Sequence, residues 1–384
     1  MTTKSNKQPG YILLLTLMVL SISTIVVTQI FFQARLYNSF IPLMTEKEKA
    51  RQLALSGVSI AIAQLSLHDA HFEKQKDQKL GKPEEKKDVA SSAAKAPEDL
   101  RKEGAEHAKN LLRTVLSVQG RWQTFVLKHD VDGIDAQLSV CITCEDGKLN
   151  VNSFYDFEKH EFKKIAQASP EDLFKQLGEV SKPFTDNKNM FEPIQDFLKK
   201  QQDPLVDVTQ LLQGKALEDF KDHLFYIPSK PPVLVEQDLK EEKEEEKKPK
   251  IFLADLFTIS TDSHRISPWV LSSSLQLLFK IKPREVASEK DFEKEVDELV
   301  DKVSIDKISW QKDWNTYLKP LYKVDFESLP KELIPFLSTK FEPRQFSVLC
   351  YGKVGRITQK LLVILERTAT GEGESFSMKK IYWL

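Results

Sequence analysis

The longest unbroken apolar pattern in the chain runs from Tyr11 to Phe32, 22 residues with no charged side chain. As a helix it is about 33 Å long, enough to cross the roughly 30 Å hydrocarbon core of a bilayer. A polar leader, residues 1–10 with Lys4 and Lys7, precedes it. A cleaved secretory signal has a shorter apolar core followed by a small-residue cleavage site, so this segment is expected to stay with the protein. The leading lysines favour an N-inside orientation, an argument that Arg35 just past the span blunts. Beyond the span, Ala50, Leu53, Ala54, Gly57, Val58, Ala61 and Leu65 recur at helical spacing and predict one apolar stripe on an amphipathic helix over 33–70. Pro42 predicts a kink or short break before it, and Thr45 with Glu48 three residues on reads as a capping box. A stripe of this kind needs something to pack on; a plain anchor with a juxtamembrane stalk is the lesser alternative on these features alone.

The pattern then changes several times. Residues 71–104 are rich in Lys, Glu, Ala and Ser with few large apolar side chains, and are predicted to be disordered. A short helix is expected over 105–118. Alternating runs at 122–129, 136–144 and 148–152, separated by Asp132-Gly133 and Asp146-Gly147, predict strands joined by hairpin turns. Helical spacing follows at 157–168, 170–177, 192–200, 205–224 and 285–321, interrupted by a like-charged run at 237–250 that reads as a solvated loop. Strands return at 345–355, 357–366 and 377–384. The implied division is a first β region at 105–156, an inserted helical domain or domains at 157–340, and a second β region at 341–384.

Composition narrows the function. Charged residues make up 29% of the chain but balance to a net charge of -1, so there is no basic excess for a nucleic acid. A helix-hairpin-helix DNA module would also need glycine hairpins and a basic face, and the candidate turns have neither. No nucleophile elbow, zinc-protease helix or phosphate-binding lysine loop occurs, and the chain reads as no enzyme. Cys141 and Cys144 form a C-x-x-C with no second ligand pair for zinc. On a strand they point to opposite faces. They read as small apolar strand residues, with one disulfide to Cys350 in an oxidising compartment as the alternative. His68 and His71 lack a third ligand and read as exposed helix-end histidines. Asp130, Asp132 and Asp135 flank Gly133 at the wrong spacing for a calcium loop and read as a hairpin turn.

Two segments carry a resemblance. The junction Lys7-Gln8-Pro9-Gly10-Tyr11 resembles a type IV prepilin signal. That implies cleavage after Gly10 by the prepilin peptidase, with methylated Tyr11 as the first mature residue. The family usually has Phe there, and Glu at the fifth mature position, where this chain has Leu15. The missing glutamate is what the K-type minor pseudopilin of type II secretion systems (general secretion pathway protein K) shows. The block Cys144-Glu-Asp-Gly-Lys-Leu-Asn-Val-Asn152 resembles that subunit's signature, and 207–212 resembles its leucine-bearing helix. Ile266-Ser-Pro268-Trp269 departs from the family's asparagine pair. The resemblance implies an α+β fold, in which a pilin-like domain of one long membrane-spanning helix and an antiparallel sheet is interrupted by a large helical insertion. It implies a structural subunit at the tip of the secretion pseudopilus, anchored in the inner membrane with its C-terminal bulk in the periplasm. Its partners would be the other minor pseudopilins, the major pseudopilin below them, and the stripe's neighbouring helices. The family's tip subunit has calcium sites, but no residues here match their ligands, and no cofactor is identified. A minor pilin of a type IV pilus or competence fibre is the alternative, followed by a plain bitopic protein with a periplasmic interaction domain.

Overall fold

A computed structural model describes residues 9–80, 97–165, 168–184, 189–213, 251–261, 263–281, 289–303, 308–370 and 373–384. Helix α1, Pro9–Leu80, dominates it: 72 residues, or about 110 Å of helix. Of the kink or short break expected at Pro42, the break is absent, since Pro42 sits inside α1. One proline removes one ladder hydrogen bond at a cost of about 3 kcal/mol, and a long run of well-formed turns on either side absorbs it. Thr45 is accordingly no cap; its hydroxyl donates to Ile41 O one turn back at 3.0 Å. Residues 71–80, expected to be disordered, complete α1, since Lys, Glu and Gln are good helix formers. Helix α2, Pro97–Val118, likewise starts earlier than expected, with Pro97 in the first turn where its missing N–H costs nothing. Only 81–96 of the predicted loop remains, and it lies outside the described residues.

Strand β1, Trp122–Leu127, leads through one helical turn, α3, His129–Asp132, into β2, Ala136–Cys144. The turn closes on Gly133 at φ 73°, the left-handed region glycine favours. Asp132 and Asp135 each accept a backbone N–H, from Lys128 at 2.9 Å and His129 at 3.0 Å, which accounts for both carboxylates as turn formers.

The second predicted hairpin does not form. Glu145–Gly147 is a 3-10 turn that carries the chain out of the sheet. Strand β3, Leu149–Asn150, runs on into the single turn α4, Val151–Phe154, and the hairpin of β4, Tyr155–Asp156, and β5, Glu161–Phe162. The helix expected over 157–168 is replaced by that hairpin, whose turn holds His160 at φ 53°. Three aromatic rings decide it: Tyr155 packs edge-on against Phe157 and Phe162, at 5.2 and 5.4 Å between centroids. Helices α5, Pro170–Ser181, and α6, Phe191–Leu198, lie close to their predicted ranges. A 3-10 helix at Val208–Gln213 begins the fourth, whose remainder lies outside the described residues, as does the charged run 237–250. Then come α7, Leu253–Leu256, β6, Phe257–Thr258, α8, Ser273–Leu278, α9, Glu289–Lys302, α10, Trp310–Tyr317, and α11, Lys319–Tyr322. β3 pairs in parallel with β6, not with β2.

The chain closes with β7, Gln345–Val354, β8, Ile357–Thr370, and β9, Gly373–Trp383. They join the first two strands in one antiparallel sheet of order β1-β2-β7-β8-β9. β2 and β7 are therefore neighbours, paired from Ala136↔Val354 to Cys144↔Phe346. Everything between Cys144 and Gln345 is an insertion hung between adjacent strands. The fold is α+β: a long N-terminal helix on an antiparallel sheet, with a largely helical insertion.

Candidate functional site

The two halves of α1 have opposite surroundings. Every large apolar side chain described between Leu13 and Met44 is open to solvent, with exposures from 47% at Leu43 to 72% at Tyr37. A helix apolar all round is stable only in a membrane or among other apolar helices. Four of its hydroxyls are satisfied within the helix, as an apolar medium requires. Thr16 donates to Leu13 O, Ser21 to Leu17 O, Thr24 to Leu20 O and Thr28 to Thr24 O, all between 2.7 and 2.9 Å. This stretch is long and apolar enough to cross a membrane. Gly10 and Tyr11 lie in the first helical turn, and the leader before Pro9 is outside the described residues.

From Ala50 on, the helix is buried by its own sheet. Ala50, Ala54, Gly57, Val58, Ala61 and Leu65 are buried, and Leu53 is half-buried. The stripe expected to meet partner helices is thus covered by the chain itself, because β2, β7 and β8 present an apolar face of matching length. Two glycines make the approach possible. A Cβ on Gly57 would lie 2.8 Å from Cys350 Sγ, and one on Gly352 would lie 2.8 Å from Ala54 N and closer still to Ala50 O. Whatever meets this helix from outside meets its other face, where Leu55 is exposed; at the sheet's edge Arg51 stands 5.0 Å over the Trp383 ring of the chain's own last strand.

The segment 145–152 binds the insertion to the sheet. Glu145 and Lys148 are both buried and form an ion pair. Ser347 of β7 also donates to Glu145, and Lys148 Nζ donates to Ala254 O at 2.8 Å and Ser347 Oγ at 3.3 Å. One lysine therefore ties the exit turn, the sheet and α7 together. Asp255 is buried beside it and accepts from Ser274 N at 2.7 Å. Burial raises the Asp255 carboxyl above its ordinary 3.8, against the opposing pull of Lys148. Asp146, whose Oδ2 accepts from Arg344 N at 3.0 Å, is raised by burial too. Gly147 lies flat against Val270 O, where no Cβ fits. The asparagines continue the seam. Asn150 Oδ1 caps α4 through Ser153 N at 3.1 Å, while its amide donates to Thr261 O. Asn152 accepts from Leu205 N at 2.9 Å and donates to Leu205 O at 2.8 Å. Each residue of the block that could bond at a distance does so across the junction. Sequence reading singled out the block but not these bonds, since Ala254, Leu205 and Thr261 are more than fifty residues away and carry no local signal.

The cysteines are structural. All three are free and buried, and Cys141 and Cys144 point to opposite faces of β2. Cys350 faces α1 opposite Val140, so the disulfide alternative does not form. Burial pushes the Cys141 and Cys350 thiols up to about 12, which leaves them unreactive. Among the described residues no three His, Cys, Asp or Glu side chains converge as metal ligands. His68 and His71 lie on α1, with side chains outside the described ones.

No protein-family model matches the chain, and no curated protein matches it. Among solved structures it is similar to a chain of the GspK-GspI-GspJ complex from the type 2 secretion system of enterotoxigenic Escherichia coli. The identity is 13% and the TM-score 0.36, over 74% of this chain and 98% of that one. A likeness so distant says nothing about what this chain binds.

Proposed function

We propose that the chain is a structural subunit of a pilin-type fibre, specifically a K-type minor pseudopilin of a type II secretion system that sits at the tip of the pseudopilus. The observation that carries this reading is the two-part helix. Its first half is apolar on all sides and uncovered by the rest of the chain, and its second half is the spine of the sheet domain. A span rigidly joined to a folded head serves a subunit that is held in a membrane and then drawn into a bundle of like helices. The prepilin-like junction at Gly10-Tyr11 and the missing glutamate at Leu15 support a pilin-type subunit without a neighbour above it. The insertion supports a terminal place. It leaves and re-enters the sheet at Cys144 and Phe346, remote from Gly352, where the sheet meets the membrane side of α1. Bulk at that end blocks a further subunit. On this reading the anchor lies in the inner membrane, the head lies in the periplasm, and the partners are the other minor pseudopilins and the major one below. The protein makes and breaks no bond, and is itself cut by the prepilin peptidase.

Mass spectrometry of the N-terminal peptide from the native membrane fraction tests it. A start at methylated Tyr11 is expected. A start at Met1 removes pilin-type processing and leaves a bitopic protein with an interaction domain.

A further inference from the structure

We propose that the cleft between the far end of the sheet and the insertion binds a carboxylate-bearing peptide segment of a partner protein. This cleft, of about 430 Å³, is lined by residues from four places in the chain: the loop before Pro268, the strand entry at 338–345, the Asp146 turn, and Glu366 of β8. Its volume lies within the range of built ligand sites.

Three cations face it. Arg265, Lys340 and Arg344 line the cleft with exposed side chains. Arg265 Nη1 reaches only Leu337 O, at 3.5 Å, and no carboxylate pairs with the heads of Lys340 and Arg344 among the described residues. His264 beside them is held below its ordinary 6.5, by burial first and then by the charges of Arg265 and Lys163. Of the acids lining it, Asp146 is occupied by the backbone N–H groups of Arg344 and Gln345, Glu366 is paired with Lys379, and Glu342 has no ion-pair partner among the described residues.

The second observation lies on the floor. Ser267 and Gln345 are both more than nine-tenths buried and line the cleft, and Ser267 Oγ and Gln345 Oε1 have no hydrogen-bond partner among the described residues. Gln345 is fixed in this orientation, since its amide nitrogen donates to Ser260 O at 2.5 Å. Its free oxygen is an acceptor and asks for a donor. A bare inorganic anion offers none and would meet the Asp146 and Glu342 carboxylates. A peptide offers both halves: backbone N–H groups for the floor, and a side-chain or terminal carboxylate for the guanidinium and ammonium groups at the mouth. This inference stands apart from the fibre reading, because any partner with an accessible acidic segment satisfies it.

The test uses the full chain in detergent micelles and a fluorescein-labelled N-acetyl tetraglutamate amide, followed by fluorescence anisotropy at constant ionic strength. Saturable binding is expected. It should weaken about tenfold in Arg344→Gln and again in Lys340→Gln, the size expected for losing one charge-assisted hydrogen bond. Both side chains are exposed, so folding is unaffected. Lys312→Gln, a cation outside the cleft, should leave affinity unchanged, and a tetraglutamine probe should not bind. Equal loss in the Lys312→Gln control, or equal binding of tetraglutamine, overturns the proposal. So does displacement of the probe by acetate or inorganic phosphate at matched carboxylate or phosphate concentration, which would leave a site for free anions and no preference for a peptide.

Discussion

Lys148 shows how much one side chain can hold. Its ammonium lies out of water and is shared by Glu145, Ser347 and the Ala254 carbonyl. Breaking one partner from a buried pair costs about 3–5 kcal/mol, because the other is left charged and unmatched. Lys148→Met should destabilise the chain by that amount in chemical denaturation. Adding Glu145→Gln should recover part of the loss, since the stranded charge goes with it. A double variant no more stable than the single would remove the pairing argument. The neighbouring Asp255 gives a pH signature. Its folded-state value is raised above the ordinary 3.8, so between 3.8 and that raised value the folded state binds the proton that the unfolded state has released. Stability from this group is fully present below pH 3.8 and is lost as pH rises through the folded value. Asp146 acts in the same direction. Asp207 has the opposite sign. Burial works against its ionisation, but hydrogen bonds from Tyr382 and Thr209 and the charge of Lys380 win and hold it low, so its contribution disappears only as pH falls below 3.8. Asp255→Asn keeps an acceptor for Ser274 N and should flatten the decline of stability above pH 3.8 without changing stability at pH 3. An unchanged slope by thermal unfolding across that range would show that Asp255 is not the titrating group.

At the scale of elements, the fit of α1 to the sheet depends on small residues on both sides. Ala50 and Ala54 meet Gly352, and Gly57 meets Cys350. Gly352→Ala would set a methyl against helix backbone, which no rotamer change can relieve. Overpacking of this kind costs about 1–3 kcal/mol. The expected result is a lower unfolding midpoint with α1 helicity intact, read by circular dichroism. The stripe itself was legible in the sequence, because 3.6-residue spacing of Ala, Val and Leu has one meaning, but what would cover it was not. Spacing says that a face is buried and is silent on whether a sheet 80 to 300 residues away or another protein does the burying. The same boundary explains the turns. Asp132-Gly133 closes a local structure and was readable, whereas Asp146-Gly147, an identical signal, leads out of the sheet because Lys148 and the asparagines bond to distant loops. The helix predicted at 157–168 failed for a related reason: aromatic packing among Tyr155, Phe157 and Phe162 outweighs local spacing. The cleft cations left no trace at all: Arg265 and Lys340 are 75 residues apart, and isolated exposed cations carry no periodic signal.

For the whole molecule, the insertion covers as well as projects. The sheet has two faces, and α1 buries only one. On the other, Cys141, Leu349 and Ile364 are buried and share a small cavity with Asp255 and Phe257 of the insertion. Removing the insertion therefore strips an apolar sheet face, although the strand ends at Cys144 and Phe346 are directly paired and a two-residue Asn-Gly turn could join them. Replacing 145–345 by that turn should give a sheet domain that retains its helix packing yet associates through the bared face, since an exposed apolar sheet is an aggregation surface. Size-exclusion chromatography in detergent, with a dye that binds apolar surface, should show oligomers and bright dye fluorescence. The same deletion carrying Leu349→Thr and Ile364→Thr should run as a monomer and stay dark, because both substitutions sit on the stripped face and keep strand propensity. A deletion variant that is already monomeric and dark would mean the insertion rests on the sheet without sealing it. Oligomers that persist after both threonines would place the sticky surface elsewhere, with the row of Met378, Ile381 and Trp383 on the edge strand next in line. The two results separate an insertion that the sheet needs to stay monomeric from one that it can lose.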